Sequence, residues 1–412
     1  MRNKINPIKQ RTQQTYVQVI DLFCGCGGMS YGFQKAKTKN VKYKVMGALD
    51  IDRHACATFS RMLGVKAVEK DICELRNLGK LRSVIKHWNL SEEHPLVLIG
   101  CAPCQGFSSH RKKDKRSDTR NNLLGVFSEI CLKLQPDIII MENVPEMLRE
   151  KYWKYFRLWR ERLQKTGYTV RTCIYNLASF GVPQERFRVL AIAARDWKKF
   201  EMPQIILHPS DYVTFRKAIS HLPKIEPSQL SESDPMHVTS RHRSTTIDLI
   251  KQIPQDGGSR KSLPESIGPL CLTRVDGFRD VYGRLWWDKP AVAITARCRT
   301  PSCGRYIHPE QNRGLSIREA ALLQGFPAEF YFDGPFDDKY KQIGNAVSPI
   351  FAQCIAEHLD KEWLMNHDEN RVVNYENEIT KPFKKSFSSA IAGIKRKMRE
   401  AKAEQLSSML YD

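Results

Sequence analysis

Cys104 stands inside Leu96–Ser109, LVLIGCAPCQGFSS, where an apolar run meets Gly100 and then a Pro-Cys-Gln triplet at Pro103, Cys104 and Gln105. Such a run reads as a buried parallel strand emptying into a loop. In open α/β sheets ligands bind in the crevice beyond the carboxyl ends of the strands, so a thiol placed there is a candidate nucleophile. The same cysteine also reads as a small packing residue, and with Cys101 it forms a CxxC that would suit a redox pair or half of a metal site. A second reactive type follows another apolar run, Asp137 to Met141, which ends in Glu142 and Asn143. A carboxylate there costs free energy unless it is paired or used; a helix cap before Pro145 is the plainer use. Gln184, Arg186 and Arg188 alternate at period two, so the arginines share one face of an extended segment, where surface ion pairing is the plain account.

Other elements must position these groups. In YVQVIDLFCGCGGMSYGF, Val17, Val19 and Ile20 predict a strand, Gly25, Gly27 and Gly28 a turn open to a ligand, and the residues from about Met29 a helix. A second strand at Val45 to Leu49 ends in Asp50, and Asp71 ends a third. An acidic residue about twenty positions beyond a glycine turn is where nucleotide-binding α/β folds hold ribose hydroxyls. The glycines lack the GxGxxG spacing that pyrophosphate uses, which favours S-adenosylmethionine over a dinucleotide. Leu123–Leu134 has helical spacing, and Tyr168–Cys173 and Arg188–Ala194 read as strands. His110–Asn122, dense in positive charge, reads as a mobile loop that is either solvated surface or a lid gripping phosphates.

The 412 residues allow two or three domains with a sizeable core. Lys and Arg total 66 against 45 Asp and Glu, a formal charge of +21 that fits a polyanion such as a nucleic-acid backbone. The 12 cysteines are scattered, with no second CxxC and no HxxxH at zinc spacing, so reduced thiols and no metal are expected, although Cys298 and Cys303 would be the partners if Cys101 and Cys104 did hold zinc. No apolar run approaches a membrane span, and the polar N-terminus lacks a leader's apolar segment, which points to the cytoplasm.

Taken together, the segments resemble the cytosine-5 DNA methyltransferase family. DLFCGCGG (Asp21–Gly28), APCQGFS (Ala102–Ser108), ENV (Glu142–Val144), QERFR (Gln184–Arg188), RGLSIREAALLQGFP (Arg313–Pro327) and QIGNAVSP (Gln342–Pro349) occur in the family's order, from about Val17 to about Leu359. The resemblance implies a Rossmann-like methyltransferase fold of α/β class with a mixed, mostly parallel sheet. It makes Cys104 the nucleophile, Glu142 the group on the ring-nitrogen edge, and Arg186 and Arg188 supports of a flipped cytosine. Asp21, Phe23, Gly25, Gly28, Asp50, Asp71 and Asn345 would line the S-adenosylmethionine site, with no metal. The family usually has Glu at Asp50, Pro at Ala102 and Asp at Leu96, departures that bear on affinity and rate.

The chemistry fits that set. Carbon 5 of cytosine is a poor nucleophile, so a thiolate must first add to carbon 6, and no such group reaches a base stacked in a duplex. The resemblance implies a catalytic domain at 15–195, continued by 340–362, and a small domain at 196–339. The small domain would hold a target-recognition region, about 196–290, and the ninth-motif segment; a basic tail at 363–412 reads as solvated surface or a further DNA contact. Arg260, Arg274, Arg279 and Arg284 are expected to contact guanine or phosphate, and Trp286 and Trp287 to be core. The implied partner is double-stranded DNA, for a monomer in the cytoplasm on the nucleoid, beside a cognate restriction or phage-defence system. Three rivals remain: a transfer-RNA cytosine-5 methyltransferase, whose Cys-Phe-Thr tripeptide is partly matched by Cys271, Leu272 and Thr273; a catalytically silent DNA-binding module; and a CxxC oxidoreductase.

Overall fold

The computed structural model describes residues 15–102, 123–264, 280–365, 370–387 and 391. Cys104, the 110–122 loop, Cys271–Thr273, Arg274, Arg279 and nearly all of the basic tail beyond 387 lie outside them. Apolar runs buried on both faces form the central sheet. Its strands are β1 (Thr15–Leu22), β2 (Val41–Asp50), β3 (Ala67–Glu69), β4 (Leu96–Gly100), β5 (Ile138–Asn143), β6 (Tyr168–Asn176) and β8 (Phe187–Arg195), in the order β3-β2-β1-β4-β5-β8-β6. From β3 to β5 neighbours pair in parallel, and β8 is antiparallel to both β5 and β6, so β8 alone is reversed. This is the mixed, mostly parallel α/β sheet expected. Strand order turns back between β1 and β4, the switch point at which such sheets open a crevice at their carboxyl ends.

The helices are α1 (Gly28–Lys35), α2 (Arg53–Leu63), α3 (Leu78–His87), α4 (Leu123–Leu134), α5 (Glu150–Gln164), α6 (Phe215–Ile219), α7 (Ser244–Gln252), α8 (Ile317–Gln324), α9 (Phe336–Asn345) and α10 (Pro349–Met365). The two-residue pleat of each strand divides the core between the sheet's faces. Val97 and Ile99 pack in the cluster with Phe351, Ile355 and Leu359 of α10, while Leu96 and Leu98 pack with Phe127 of α4 and Trp159 of α5. α10 is pinned to the start of β2 by Asp360, whose carboxylate accepts the backbone N–H groups of Lys39, Asn40 and Val41 at 2.9, 2.9 and 2.8 Å. Beyond it, the N–H groups of Ile379 and Phe383 donate to the carbonyls of Thr172 and Leu148, fastening residues 370–387 along the β6 edge.

Two expectations need correction. β3 ends at Glu69, and Asp71 instead caps a 3₁₀ turn over Ile72–Arg76, accepting from the Cys73 N–H at 2.8 Å. Arg284 is not a DNA contact: it is 1% exposed, and its guanidinium donates to the carbonyls of Ile250, Ile253, His308 and Gln311 and to Asn312. Trp287 is half-buried against Phe215 and His308, at ring separations of 5.5 and 5.2 Å, in line with a core role.

Candidate active site

A cleft of about 690 Å³ opens at the carboxyl ends of β1, β2, β4 and β5. Asp21, Phe23, Gly25, Gly28, Asp50, Asp71, Glu142, Arg186, Arg188 and Asn345 all line it, together with Cys101 and Ala102. These residues come from segments more than 300 positions apart, and the fold gathers every described member of the expected set.

The first wall is the turn after β1. Phe23 has φ +65°, a left-handed conformation that a bulky residue adopts only where its surroundings hold it there, and its ring meets Phe127 edge-on at 6.4 Å. The Gly25 N–H donates to Asp50 Oδ2 at 2.8 Å, and the Asp52 N–H to Asp50 Oδ1 at 2.9 Å, so the turn and the end of β2 share one carboxylate. Burial raises the Asp50 pKa. Asp21 is buried and accepts from Ser30 Oγ at 2.6 Å; burial pushes its carboxyl up to about 7, the Ser30 hydrogen bond works against that, and the charge of Asp50 adds to it. A side chain at Gly28 would meet the Val347 carbonyl oxygen at 2.1 Å, so glycine there lets α1 close on the segment carrying Asn345. Lys341 Nζ bridges the same boundary, donating to Asp52 Oδ2 at 2.6 Å.

The second wall carries the candidate reactive groups. Glu142 is the penultimate residue of β5, and its Oε1 lies 2.8 Å from Arg188 Nε on the antiparallel neighbour β8. Burial raises the Glu142 pKa, while the charges of Arg188 and Arg186 oppose it. Asn143 Nδ2 donates to the Ala102 carbonyl at 3.0 Å, two residues before Cys104. Burial, reinforced by the Glu142 charge, raises the Cys101 pKa well above the ordinary thiol value, which counts against a reactive CxxC pair.

Arg186 is committed differently from Arg188. Its Nη1 donates to the Ile294 carbonyl at 2.6 Å and its Nη2 to the Gly344 carbonyl at 3.0 Å, one residue before Asn345. Beside it, buried Gln184 accepts from the Ile294 N–H and donates to the Leu323 carbonyl, each at 2.8 Å, and Gln324 donates to the Ala346 carbonyl at 2.6 Å. β7 (Gln184–Glu185) and β9 (Ala291–Val292) pair in parallel in this junction. Asn143, Gln324 and Lys341 were not singled out from the sequence. Their positions inside ENV, LLQGF and the residue before QIGN were the available signal, but their partners are distant carbonyls and a carboxylate.

A family model described as C-5 cytosine-specific DNA methylase matches residues 17–361. The chain is 34% identical over 363 residues to the Type II methylase M.HgiDII of Herpetosiphon aurantiacus, covering 86% of this chain and 98% of that one. It is 33% identical over 355 residues to the Type II methyltransferase M1.HphI of Haemophilus parahaemolyticus, covering 85% and 87%. Among solved structures, one described as a DNA modification methyltransferase encoded within an Escherichia coli prophage superposes with a TM-score of 0.64 at 25% identity, covering 85% of this chain and all of that one.

Proposed function

We propose, from the premise that this chain belongs to the C-5 cytosine-specific DNA methylase family, that Cys104 adds to carbon 6 of a cytosine flipped out of duplex DNA while Glu142 and Arg188 hold the base. The protein is a DNA cytosine-5 methyltransferase, and its methyl donor is S-adenosylmethionine. The cleft suits that donor: it is about 690 Å³ in volume, and its lining combines apolar side chains such as Phe23, Leu49 and Ile72 with the carboxylates of Asp50 and Asp71, which can accept hydrogen bonds from hydroxyl and amino groups. Phe23 would hold the apolar part and Asp50 the ribose hydroxyls, with Gly25, Gly28, Asp71 and Asn345 completing the enclosure. When bound, S-adenosylmethionine supplies a methyl group activated on a sulfonium sulfur.

The observation that carries the reading is that Glu142, paired with Arg188, lines the same cleft as Ala102, which Asn143 ties two positions ahead of Cys104. Thiolate addition at carbon 6 pushes an electron pair toward carbon 5, and the ring's negative charge is shared with nitrogen 3 and the exocyclic oxygen. Glu142, poised by burial to share a proton, stabilises the nitrogen edge, and Arg188 donates to the oxygen. Carbon 5 would then take the methyl group from the donor's sulfonium, leaving a neutral thioether; its proton passes to water in the cleft, and the freed electron pair re-forms the C5–C6 double bond as the C6–S bond breaks and returns the Cys104 thiolate. Arg186 acts here by positioning: its two carbonyl contacts hold the Ile294 and Gly344 backbones around the cleft.

The division into a catalytic domain (15–195 with 340–362) and a small domain (196–339) is part of the same reading; of the expected basic tail (363–412), residues 363–365 complete α10 and 370–387 are fastened to the catalytic domain instead of forming a separate tail. Type II relatives support a setting in restriction-modification, with a partner nuclease or phage-defence role. Labelled S-adenosylmethionine offered with genomic DNA and with total RNA, followed by bisulfite sequencing, tests the assignment. Label in one cytosine context of DNA supports it, and label in RNA alone overturns it.

A further inference from the structure

A second cavity, about 300 Å³ in volume, lies between the start of α7 and residues 299–302. Arg241, His242, Arg243 and Arg299 line it, and no carboxylate stands among its described lining residues. Ser240 contributes to the same lining; it is 6% exposed, and its Oγ is buried with no hydrogen-bond partner. A buried hydroxyl left in that state costs free energy that a ligand oxygen would recover. The nine-residue helix α7 begins here, and its N-cap Arg243 supplies no side-chain cap; the Thr246 N–H turns back onto the Arg243 carbonyl at 2.9 Å, which leaves the N–H groups of Ser244 and Thr245 without a helical partner.

We propose that this cavity is a phosphate-binding site, filled by a phosphodiester of the DNA backbone. Ser240 Oγ and the guanidinium groups of Arg241 and Arg243, at the start of α7, offer the hydrogen-bond donors and the charge that a phosphoryl group needs. His242 Nε2 accepts the Gly314 N–H at 3.2 Å, which leaves the ring proton on Nδ1 as a further donor. Burial, with the charges of Arg299 and Arg313, lowers the His242 pKa, as expected of a positive pocket. Arg299 is held by Asp337 Oδ2 at 2.8 Å and frames the wall. That wall continues into the Ile294–Ala296 stretch, where Ile294 meets Arg186 and Thr295 and Ala296 pack on Gly344, so a phosphate here would be registered to the cleft through a short, ordered path. The DNA source rests on the methyltransferase reading; the phosphate chemistry does not.

The test uses the full chain and a labelled duplex across a salt series, with Arg241→Gln/Arg243→Gln, Ser240→Ala, and Lys251→Gln at the far end of α7 as a charge control. The double variant should reduce the slope of log affinity against log salt by about one, the single phosphate lost. Ser240→Ala should weaken binding severalfold with the slope unchanged, a response that loss of surface charge does not give. A parallel arm compares melting in inorganic phosphate and in chloride at equal ionic strength. Phosphate stabilisation lost in the variants, with duplex binding unaltered, assigns the site to free phosphate. Variants that match Lys251→Gln in both arms overturn the proposal. A wild type that binds no duplex sinks the methyltransferase reading instead, while the phosphate arm still decides the cavity.

Discussion

Asn143 Nδ2 donates to the carbonyl oxygen of Ala102 at 3.0 Å, tying the end of β5 to the end of β4 on the approach to Cys104. Asn143 is buried, and its Oδ1 accepts the Val144 N–H at 2.9 Å, so the side chain is fixed at both ends. Ala102 stands where the family usually has proline, and this hydrogen bond supplies restraint that a proline ring would otherwise give. Asn143→Ala should lower kcat about tenfold, the worth of roughly one hydrogen bond spent on alignment, with the affinity for S-adenosylmethionine little changed. Single-turnover methylation beside cofactor titration separates the two. Equal loss in both would make Asn143 a general structural residue.

Glu142→Gln keeps the shape of the side chain and removes its proton exchange, and should cost about a hundredfold or more in kcat. Arg188→Gln removes the charge that offsets burial of Glu142, so the Glu142 pKa should rise further. Carboxyl titration by infrared or NMR in the Cys104→Ser background reads that rise directly, and an unchanged value would contradict the coupling.

Gly28→Ala places a Cβ 2.1 Å from the Val347 carbonyl, a backbone atom that cannot step aside as a side chain would. The variant should lose S-adenosylmethionine affinity and several degrees of melting temperature together, because the shifted segment carries Asn345. Isothermal titration and a thermal melt check both.

Stability should respond to pH in two opposite windows. Glu319 is held at about 2, despite burial, by the charge and paired hydrogen bonds of Arg313 at 2.7 and 2.8 Å. Its folded pKa lies below the ordinary carboxyl value of 4.5, so its stabilisation is present above 4.5 and is lost as pH falls toward 2. Asp21 is pushed up to about 7 from 3.8 by burial, so its stabilisation is present below 3.8 and is lost as pH rises through 7. Urea melts of the cofactor-free protein should show Glu319→Gln flattening the loss of stability at acid pH and Asp21→Asn flattening the fall in stability as pH rises from about 4 to 7. Breaking the buried Arg313 pair should also cost about 3–5 kcal/mol at neutral pH.

Much of this arrangement is legible in the chain. The apolar runs at Leu96–Ile99 and Ile138–Met141, and Val17, Val19 and Ile20 around the single polar Gln18, announce buried strands, because parallel strands covered on both faces are apolar nearly throughout. The glycine turn and Asp50 announce a pocket for the same reason of backbone access. Asp71 was misplaced because a three-residue edge strand, Ala67–Glu69, is too short to show a period. Arg284 read as a free cation because its partners are backbone carbonyls at 250, 253, 308 and 311, which only the folded chain brings together. The same limit hid Asn143 and Gln324, whose hydrogen bonds cross from one motif to another.

The central claim is that Cys104 forms a covalent bond to the target cytosine. Duplex DNA carrying 5-fluorocytosine in the context found by bisulfite sequencing, incubated with S-adenosylmethionine and resolved under denaturing conditions, tests it directly, since fluorine at carbon 5 blocks the final elimination. The wild type and Cys101→Ser should each give a stable protein–DNA adduct, and Cys104→Ser none. An adduct that survives Cys104→Ser, or a wild type that methylates DNA without ever forming one, would contradict it.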